Sequence, residues 1–307
     1  MFFKKVKRYA ALSTGDFNKI FGDKEIPPLP EVAMKLLDKI KDPEVSVDEV
    51  AKVIESDPGL SAQVLKIVNS AFYSFSKEIS NITRATGVLG LQKIEKIALA
   101  YAMVHGIRHP NREGFDFGMF WTDSLYRALF AKQVAACVGF EAEEAFTGAL
   151  LQDIALPVLL GEWFDVYQPI YKRWQESREP LHEIEDEELS WTHFQAGAWM
   201  AKEWSFPDML VCCIGLHTYT VEEIRELGVG ESAVEAVALS SRLPSKEARL
   251  EELDELFCEA EEMGLSEAKV VQASEEAYKI LGEMAECFGI NAVSRPSLKE
   301  LLEEIRD

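Results

Sequence analysis

Apolar residues recur along most of the chain with the spacing of α-helices. The stretch PPLPEVAMKLLDKIKDP places its apolar side chains on one face and opens with prolines, which suit a helix start. Ser46 followed by Glu49 is a capping box, and Asp57 before Pro58 marks the start of another helix. The pattern therefore predicts three short helices in the first seventy residues.

The helical spacing continues to the end of the chain. After an aromatic interruption, NSAFYSFSKEIS at 69–80, it resumes until Gly90, and residues 91–104 read as a mostly apolar helix. Further helices, separated by glycine, proline or acidic stretches, are predicted at 119–138, 141–160, 190–204, 207–219 and 231–242. No run alternates apolar and polar residues long enough to seed a sheet, so the predicted fold class is all-α.

The segment GIRHPNREGFDFG at 106–118 is the best linker candidate, because it combines glycine, proline and charge. With it we divide the chain into four regions. These are an N-terminal segment, two helical subdomains and a C-terminal region with three acidic amphipathic patterns, at 1–25, 26–110, 111–245 and 246–307.

The net negative charge of the chain disfavours some classes of binding partner. The chain has 53 acidic and 32 basic residues, a net charge of -21. Such a protein repels phosphate backbones, so we expect no nucleic-acid binding. The longest apolar runs, at 97–104 and 154–160, are far shorter than the roughly 20 residues that cross a bilayer, so we expect no membrane insertion. The start of the chain lacks the pattern of a secretory signal, and we expect a cytoplasmic protein without a cofactor.

Four residues of metal-ligand type lie on different predicted helices of the second half: Asp123, Asp153, His193 and His217. Imidazoles and carboxylates gathered from several helices can hold a metal ion in a bundle. Each also has a structural interpretation, because a core histidine can simply be hydrogen-bonded and Asp123 precedes Arg127 by the four residues of a helix ion pair. Asp153 is flanked by leucines, so burying it requires a histidine, an amide or an ion as its partner.

The sequence resembles a known family in five stretches: IPPLPEVAMKLLDKIKDPEVSVDEVAKVIESDPGLSAQVLKIVNSAFY, ITRATGVLGLQKI, FWTDSLYRALFAKQVA, GALLQDIALPVLL and THFQAGAWMAKEWSFPDMLVCCIGLHT. They are similar to the HDOD domain, a bacterial signalling module related to the HD phosphohydrolases, over roughly residues 20–245. The resemblance implies a multi-helix HD-like bundle.

HD enzymes hold their metal with a histidine, a His-Asp doublet, further histidines and a final aspartate. The resemblance places these positions in this chain at Asp123, Gln152, Asp153, His193, His217 and Ser241. Three of them have changed type, and an amide or a hydroxyl is a weak ligand for a transition metal. The resemblance therefore implies a degenerate site with no catalytic residue and no bound metal. If an ion is present, Asp123, Asp153, His193 and His217 would hold it.

We therefore expect a non-catalytic signal-transduction domain that binds a protein partner. Asn69, Phe72, Tyr73 and Phe75 form a candidate partner surface, since aromatic residues are enriched at interface hot spots. The alternative is that these rings plug the junction between the two helical halves.

Two other functions stay open. One is a metal-dependent phosphohydrolase, a phosphodiesterase or nucleotidase, that works with the reduced ligand set. The other is a sensor that binds a nucleotide without cleaving it. The sensor requires a basic residue facing Asp153, and Arg127 or Lys132 could supply it.

Overall fold

The protein is described by a computed structural model that covers residue 17 and residues 26–42, 44–73, 75, 77–112, 114–177, 179–244 and 250–306. Within these ranges the regular structure is helical and no strand occurs. The all-α fold class predicted from the sequence is confirmed.

Within the described residues, the first four helices each contact a fifth, the mostly apolar helix α5. They are α1 (Glu31–Ile40), α2 (Val47–Glu55), α3 (Pro58–Val68), α4 (Ile82–Leu89) and α5 (Leu91–Gly106). The predicted caps are present: Ser46 and Glu49 bond reciprocally, and Asp57 accepts from the Leu60 N–H at 3.0 Å. Gly90 joins α4 to α5 with a φ of 90°, a left-handed conformation that favours glycine.

Nine helices follow and build the part of the fold that holds the candidate site. They are α6 (Phe117–Val138), α7 (Ala142–Leu151), α8 (Ala155–Glu162), α9 (Phe164–Glu176), α10 (Leu181–Leu189), α11 (His193–Glu203), α12 (Asp208–Leu216), α13 (Val221–Glu226) and α14 (Ala233–Ser241). The long helix α6 is mostly buried and packs against α7 and α14.

The structure differs from the sequence prediction in three places. The single helix predicted at 141–160 is interrupted by a turn at 152–154, which carries Asp153. Helix α13 lies between the helices predicted at 207–219 and 231–242. Helices α9 and α10 lie in a stretch that the pattern predicts as a separator, because it contains Pro169 and many acidic residues. Their buried side chains, Tyr167 and Ile184 among them, attach both helices to the core.

The C-terminal region is folded onto the rest of the protein. It contains α15 (Leu250–Glu262), α16 (Glu267–Cys287) and α17 (Leu298–Arg306). Helix α16 packs along α6, where Tyr126 and Ser274 share a buried hydrogen bond of 2.6 Å, and it also touches α3. One hydrophobic core runs through all three helical regions. The four-part division of the chain stays a prediction.

One apolar stretch, Ala142–Glu162, has the length and composition of a membrane-crossing helix. In the structure it comprises α7, the turn at 152–154 and α8, and 89% of its most apolar window is buried inside the protein. Its apolar surface is thus used in the core of the fold.

Candidate functional site

Asp153 lies at the centre of a buried polar cluster. It occupies the turn between α7 and α8 and is 8% exposed. Its Oδ1 atom is 3.3 Å from His193 Nε2 and 3.3 Å from His217 Nε2. The fold thereby supplies the partners that a buried carboxylate requires.

The second oxygen of Asp153 is bound by an arginine. Arg127 on α6 donates from Nη1 to Oδ2 at 2.8 Å, and Gln152 Nε2 donates to the same oxygen at 3.3 Å. Gln152 in turn accepts from Ser240 Oγ at 3.4 Å. Arg127 thus reaches across to the α7–α8 turn, as one of the two basic residues suggested to face Asp153, and not to Asp123 on its own helix.

His193 is fixed from its other side by Glu185. Glu185 Oε2 accepts from the His193 backbone N–H at 2.9 Å and lies 2.7 Å from its Nδ1, while Tyr167 donates its hydroxyl to Oε1. His193 is the first residue of α11, which Thr192 caps. The positive end of the helix dipole therefore stabilises the Glu185 carboxylate.

His217 is the residue that ends α12. Its Nδ1 is 2.8 Å from the carbonyl oxygen of Ile214, and because a carbonyl only accepts, Nδ1 carries the hydrogen. Ser241 on α14 donates its hydroxyl to the carbonyl oxygens of His217 and Ala238. Ser241 thus orients the backbone beside the cluster and does not face Asp153.

Asp123 is not part of this cluster. Its Oδ1 atom accepts from Arg295 Nη1 at 2.8 Å, and the Arg295 guanidinium also donates to the Pro244 carbonyl and lies 3.9 Å from the centre of the Tyr126 ring. Of the four residues named for an ion, should one be present, Asp123 is thus paired with a cation from the C-terminal region, while the other three lie together.

The cluster is held by opposite charges. Burial opposes ionisation of Asp153, but hydrogen bonds from His193 and His217 and the charges of His217 and Arg127 outweigh it and hold the pKa of Asp153 well below its usual range. Burial likewise opposes the charge on His193, yet Glu185 and Asp153 raise the pKa of His193 to about 10. Both shifts favour the charged forms, Asp153 as an anion and His193 as a cation.

Three residues of the cluster fit one metal ion. Asp153, His193 and His217 each offer a ligand atom, and these atoms lie within 4.8 Å of one another. A two-metal centre does not fit, because a carboxylate that bridges two ions needs both oxygens, and Arg127 and Gln152 bind Oδ2. A single ion would also have to displace the proton that His193 holds between two carboxylates.

The four residues predicted as a partner surface, Asn69, Phe72, Tyr73 and Phe75, make contacts within the protein. Asn69 bonds to the backbone of Leu65 and Ile79 through both ends of its amide. The half-buried ring of Phe72 lies 3.5 Å from Lys132 Nζ, and Phe72 and Tyr73 touch at 4.9 Å between ring centres. Lys132 binds Glu143 at 2.7 Å and so does not face Asp153, and Phe75 stacks on Tyr73. These contacts favour the alternative that the rings plug the junction.

The family model of the HDOD domain matches residues 26–219. This chain belongs to the HDOD domain family. The match covers α1 to α12 and with them Asp123, Gln152, Asp153, His193 and His217, so the candidate cluster lies within the HDOD domain. Ser241 and Arg295 lie beyond it.

Solved structures show the same fold as this HDOD protein. An HDOD domain protein of unknown function from Geobacter sulfurreducens has a TM-score of 0.68 at 19% identity, over 92% of this chain and 99% of that one. A "Putative phosphohydrolase" of Shewanella amazonensis SB2B has 0.66 at 22%, over 94% and 98%. A "Putative signal transduction protein" of Marinobacter aquaeolei VT8 has 0.63 at 19%, over 94% and 65%.

Among curated proteins, an uncharacterized protein of Treponema pallidum (strain Nichols) is 22% identical over 195 residues. The alignment covers 63% of this chain and 37% of that relative. The chain thus spans little more than a third of the length of this relative.

Sequence reasoning missed two residues that bind predicted site positions. Glu185 is one of five acidic residues on α10, and only its spacing from Leu181 and Ile184, which are buried, marks it as inward-facing. Arg295 lies in the irregular segment before α17, and no local pattern distinguishes it from other arginines. Its role follows only from its contact with Asp123, 172 residues earlier in the chain.

Proposed function

We propose that this HDOD protein is a non-catalytic signal-transduction domain that acts by binding a protein partner. The observation that carries the proposal is the ion pair of 2.8 Å between Arg127 and Asp153. The guanidinium binds the Oδ2 atom of Asp153, so this oxygen is not free to hold a second metal ion.

The chemistry of an arginine in place of a metal ion supports the absence of catalysis. Metal-dependent phosphohydrolysis uses the ion both to neutralise phosphate and to lower the pKa of a bound water. Arg127 could neutralise a phosphate, but a guanidinium does not coordinate water and cannot generate the hydroxide nucleophile. Gln152 and Ser241 direct their polar atoms to Asp153 and to backbone carbonyls, which leaves the cluster a stabilising network.

An activity assay tests this half of the proposal. The purified protein is incubated with Mn²⁺, Fe²⁺, Ni²⁺ or Mg²⁺ and a cyclic dinucleotide, a nucleoside monophosphate or bis(p-nitrophenyl) phosphate. We expect equal, background rates for the wild type and Asp153→Asn. Metal-dependent turnover that Asp153→Asn removes would overturn the proposal.

A partner screen tests the other half. The full chain is used as bait in an extract of its native host, with quantitative mass spectrometry and a reciprocal capture from each candidate partner. We expect at least one protein to be enriched in both directions. If no protein is enriched while a nucleotide co-purifies, the sensor interpretation replaces this one, with Arg127 as the cation nearest to Asp153.

The convergence of Asp153, His193 and His217 favours a second candidate, a phosphohydrolase that uses one ion. The phosphohydrolase name of the Shewanella relative points the same way. Calorimetric titration with Mn²⁺ separates the two candidates. One-site binding that His193→Ala abolishes and Arg127→Met strengthens would support the one-ion enzyme, whereas the signalling proposal expects no such binding.

A further inference from the structure

A cavity of about 160 Å³ lies between the N-terminal helices and α8, outside the Asp153 cluster. We call it the linker cavity. Its apolar lining comes from the segment before α1, from the linker after α5, from α8 and from one tryptophan: Pro27, Leu29, Ile107, Pro157, Val158 and Trp204. An engineered cavity of about 150 Å³ accommodates benzene, so this volume suits a single six-membered ring or a branched aliphatic group of similar size.

The walls of the linker cavity are fixed by contacts across the fold. Trp204 Nε1 donates to the Pro27 carbonyl at 3.0 Å. A Cβ atom on Gly106 would lie 2.5 Å from Pro30 Cγ, so the two segments pack closely there only because residue 106 is glycine. Arg112 ties the linker to α8 by a hydrogen bond of 3.4 Å to the Gly161 carbonyl. The cavity is therefore preformed.

The polar lining of the linker cavity suits an anion. Arg108 lines it, is exposed and has no ion pair or hydrogen bond with any other residue that the structure describes. His109 Nδ1 accepts from the Asn111 N–H at 2.7 Å, so its hydrogen is on Nε2 and is a donor. Glu162 is the one acidic residue of the lining. The lining therefore offers a guanidinium without a partner among the described residues and an imidazole N–H as donors to a carboxylate.

We propose that the linker cavity binds a small organic anion, a carboxylate attached to one ring or to a branched aliphatic group. The apolar body lies among Pro157, Val158 and Trp204, and the carboxylate bonds to Arg108 and His109. The ligand would then contact α8 one turn after Asp153. This site is separate from the Asp153 cluster and does not depend on whether that cluster is catalytic.

Benzoate is the probe for the charge requirement, and benzamide is its neutral analogue of the same shape. Isothermal titration of the full chain should show saturable one-site binding of benzoate and at least about tenfold weaker binding of benzamide, since tenfold corresponds to about 1.4 kcal/mol. Arg108→Gln should weaken benzoate about tenfold and leave benzamide unchanged. Because Arg108 has no partner to lose, the variant should fold normally.

Filling the cavity tests its location. Gly161 lines the linker cavity, and a Cβ atom there would meet only Pro110 Cβ at 3.9 Å, an ordinary contact. Gly161→Leu should therefore fold and lose benzoate binding. Gly87→Leu is the matched control, because nothing lies within 4 Å of a Cβ atom at residue 87. Circular dichroism and thermal unfolding verify that both variants are folded.

Three results would overturn the proposal: no binding of benzoate to the wild type, equal binding of benzoate and benzamide, or unchanged benzoate binding by folded Gly161→Leu. Asp153→Asn should bind benzoate as the wild type does. A failure at the linker cavity is therefore distinguishable from a failure of the signalling proposal.

Discussion

Two of the buried carboxylates, Asp153 and Glu95, have opposite surroundings. Asp153 receives hydrogen bonds or ion pairs from Arg127, Gln152 and two histidines. Glu95 on α5 is 4% exposed, and its Oε1 atom has no hydrogen-bond partner among the described residues. Burial disfavours the charge in both places, but only Asp153 has the donors to offset it.

The difference appears in the two pKa values. Burial raises the pKa of Glu95 to about 7, and the charge of Lys96 opposes this only in part. Lys96 itself pairs with Glu144 at 3.5 Å. The pKa of Asp153 lies well below its usual range. The donors arranged around a buried carboxylate, and not its depth, therefore decide whether it is charged.

Removing the charge of the paired carboxylate should have the largest effect. Asp153→Ala removes the negative charge that faces Arg127, His193 and His217. It should lower the free energy of unfolding by about 3–5 kcal/mol, as for other broken buried ion pairs. Urea unfolding measures it. Asp254→Ala, at an exposed position of α15, is the control and should change stability by less than about 0.5 kcal/mol. A loss at Asp153 no larger than the control would mean that the cluster does not stabilise the fold.

Replacing Glu95 by glutamine should change how the stability of the protein depends on pH. A folded-state pKa of about 7 against 4.5 in the unfolded chain means that the folded wild type binds the extra proton, so its stability falls as pH rises from about 4.5 to 7. The glutamine of Glu95→Gln does not titrate, so the variant does not lose stability in this way. Its stability relative to wild type should therefore increase between pH 5 and pH 8, by up to about 3 kcal/mol at about 1.4 kcal/mol per pKa unit.

Urea unfolding of the wild type and of Glu95→Gln is measured at pH 5 and at pH 8. The effects of other titrating groups cancel when the unfolding free energy of the wild type is subtracted from that of the variant at each pH. Glu55→Gln, at an exposed position of α2, should show no such change. A difference between Glu95→Gln and wild type that is independent of pH would show that Glu95 titrates normally.

Tyr167→Phe should have the smallest effect of the three. It removes the hydroxyl that donates to Glu185, and the loss of a hydrogen bond to a charged group costs about 2 kcal/mol. Thermal unfolding at neutral pH measures it. Tyr171→Phe on the same helix is the control, since its ring packs against Phe115 and Trp174 and keeps those contacts. Equal effects of the two substitutions would indicate that Glu185 is satisfied without Tyr167.

Local signals in the sequence predicted most of the helices. The capping box of Ser46 and Glu49 and the glycine at residue 90 are local devices, and they appear in the structure where the pattern placed them. The turn at Asp153 was missed, because the apolar residues on both sides continue one helical pattern. Helices α9 and α10 were missed because their buried residues are few and lie among prolines and acids.

Helix periodicity and capping act over a few residues, so the sequence alone specifies which chemical groups are available and which helix faces turn inward. The pairing of the charges follows from long-range packing instead. Asp153 pairs with Arg127, 26 residues away, and Asp123 pairs with Arg295, 172 residues away. A local pattern could not distinguish Asp153, with four donors, from Glu95, whose Oε1 has none among the described residues.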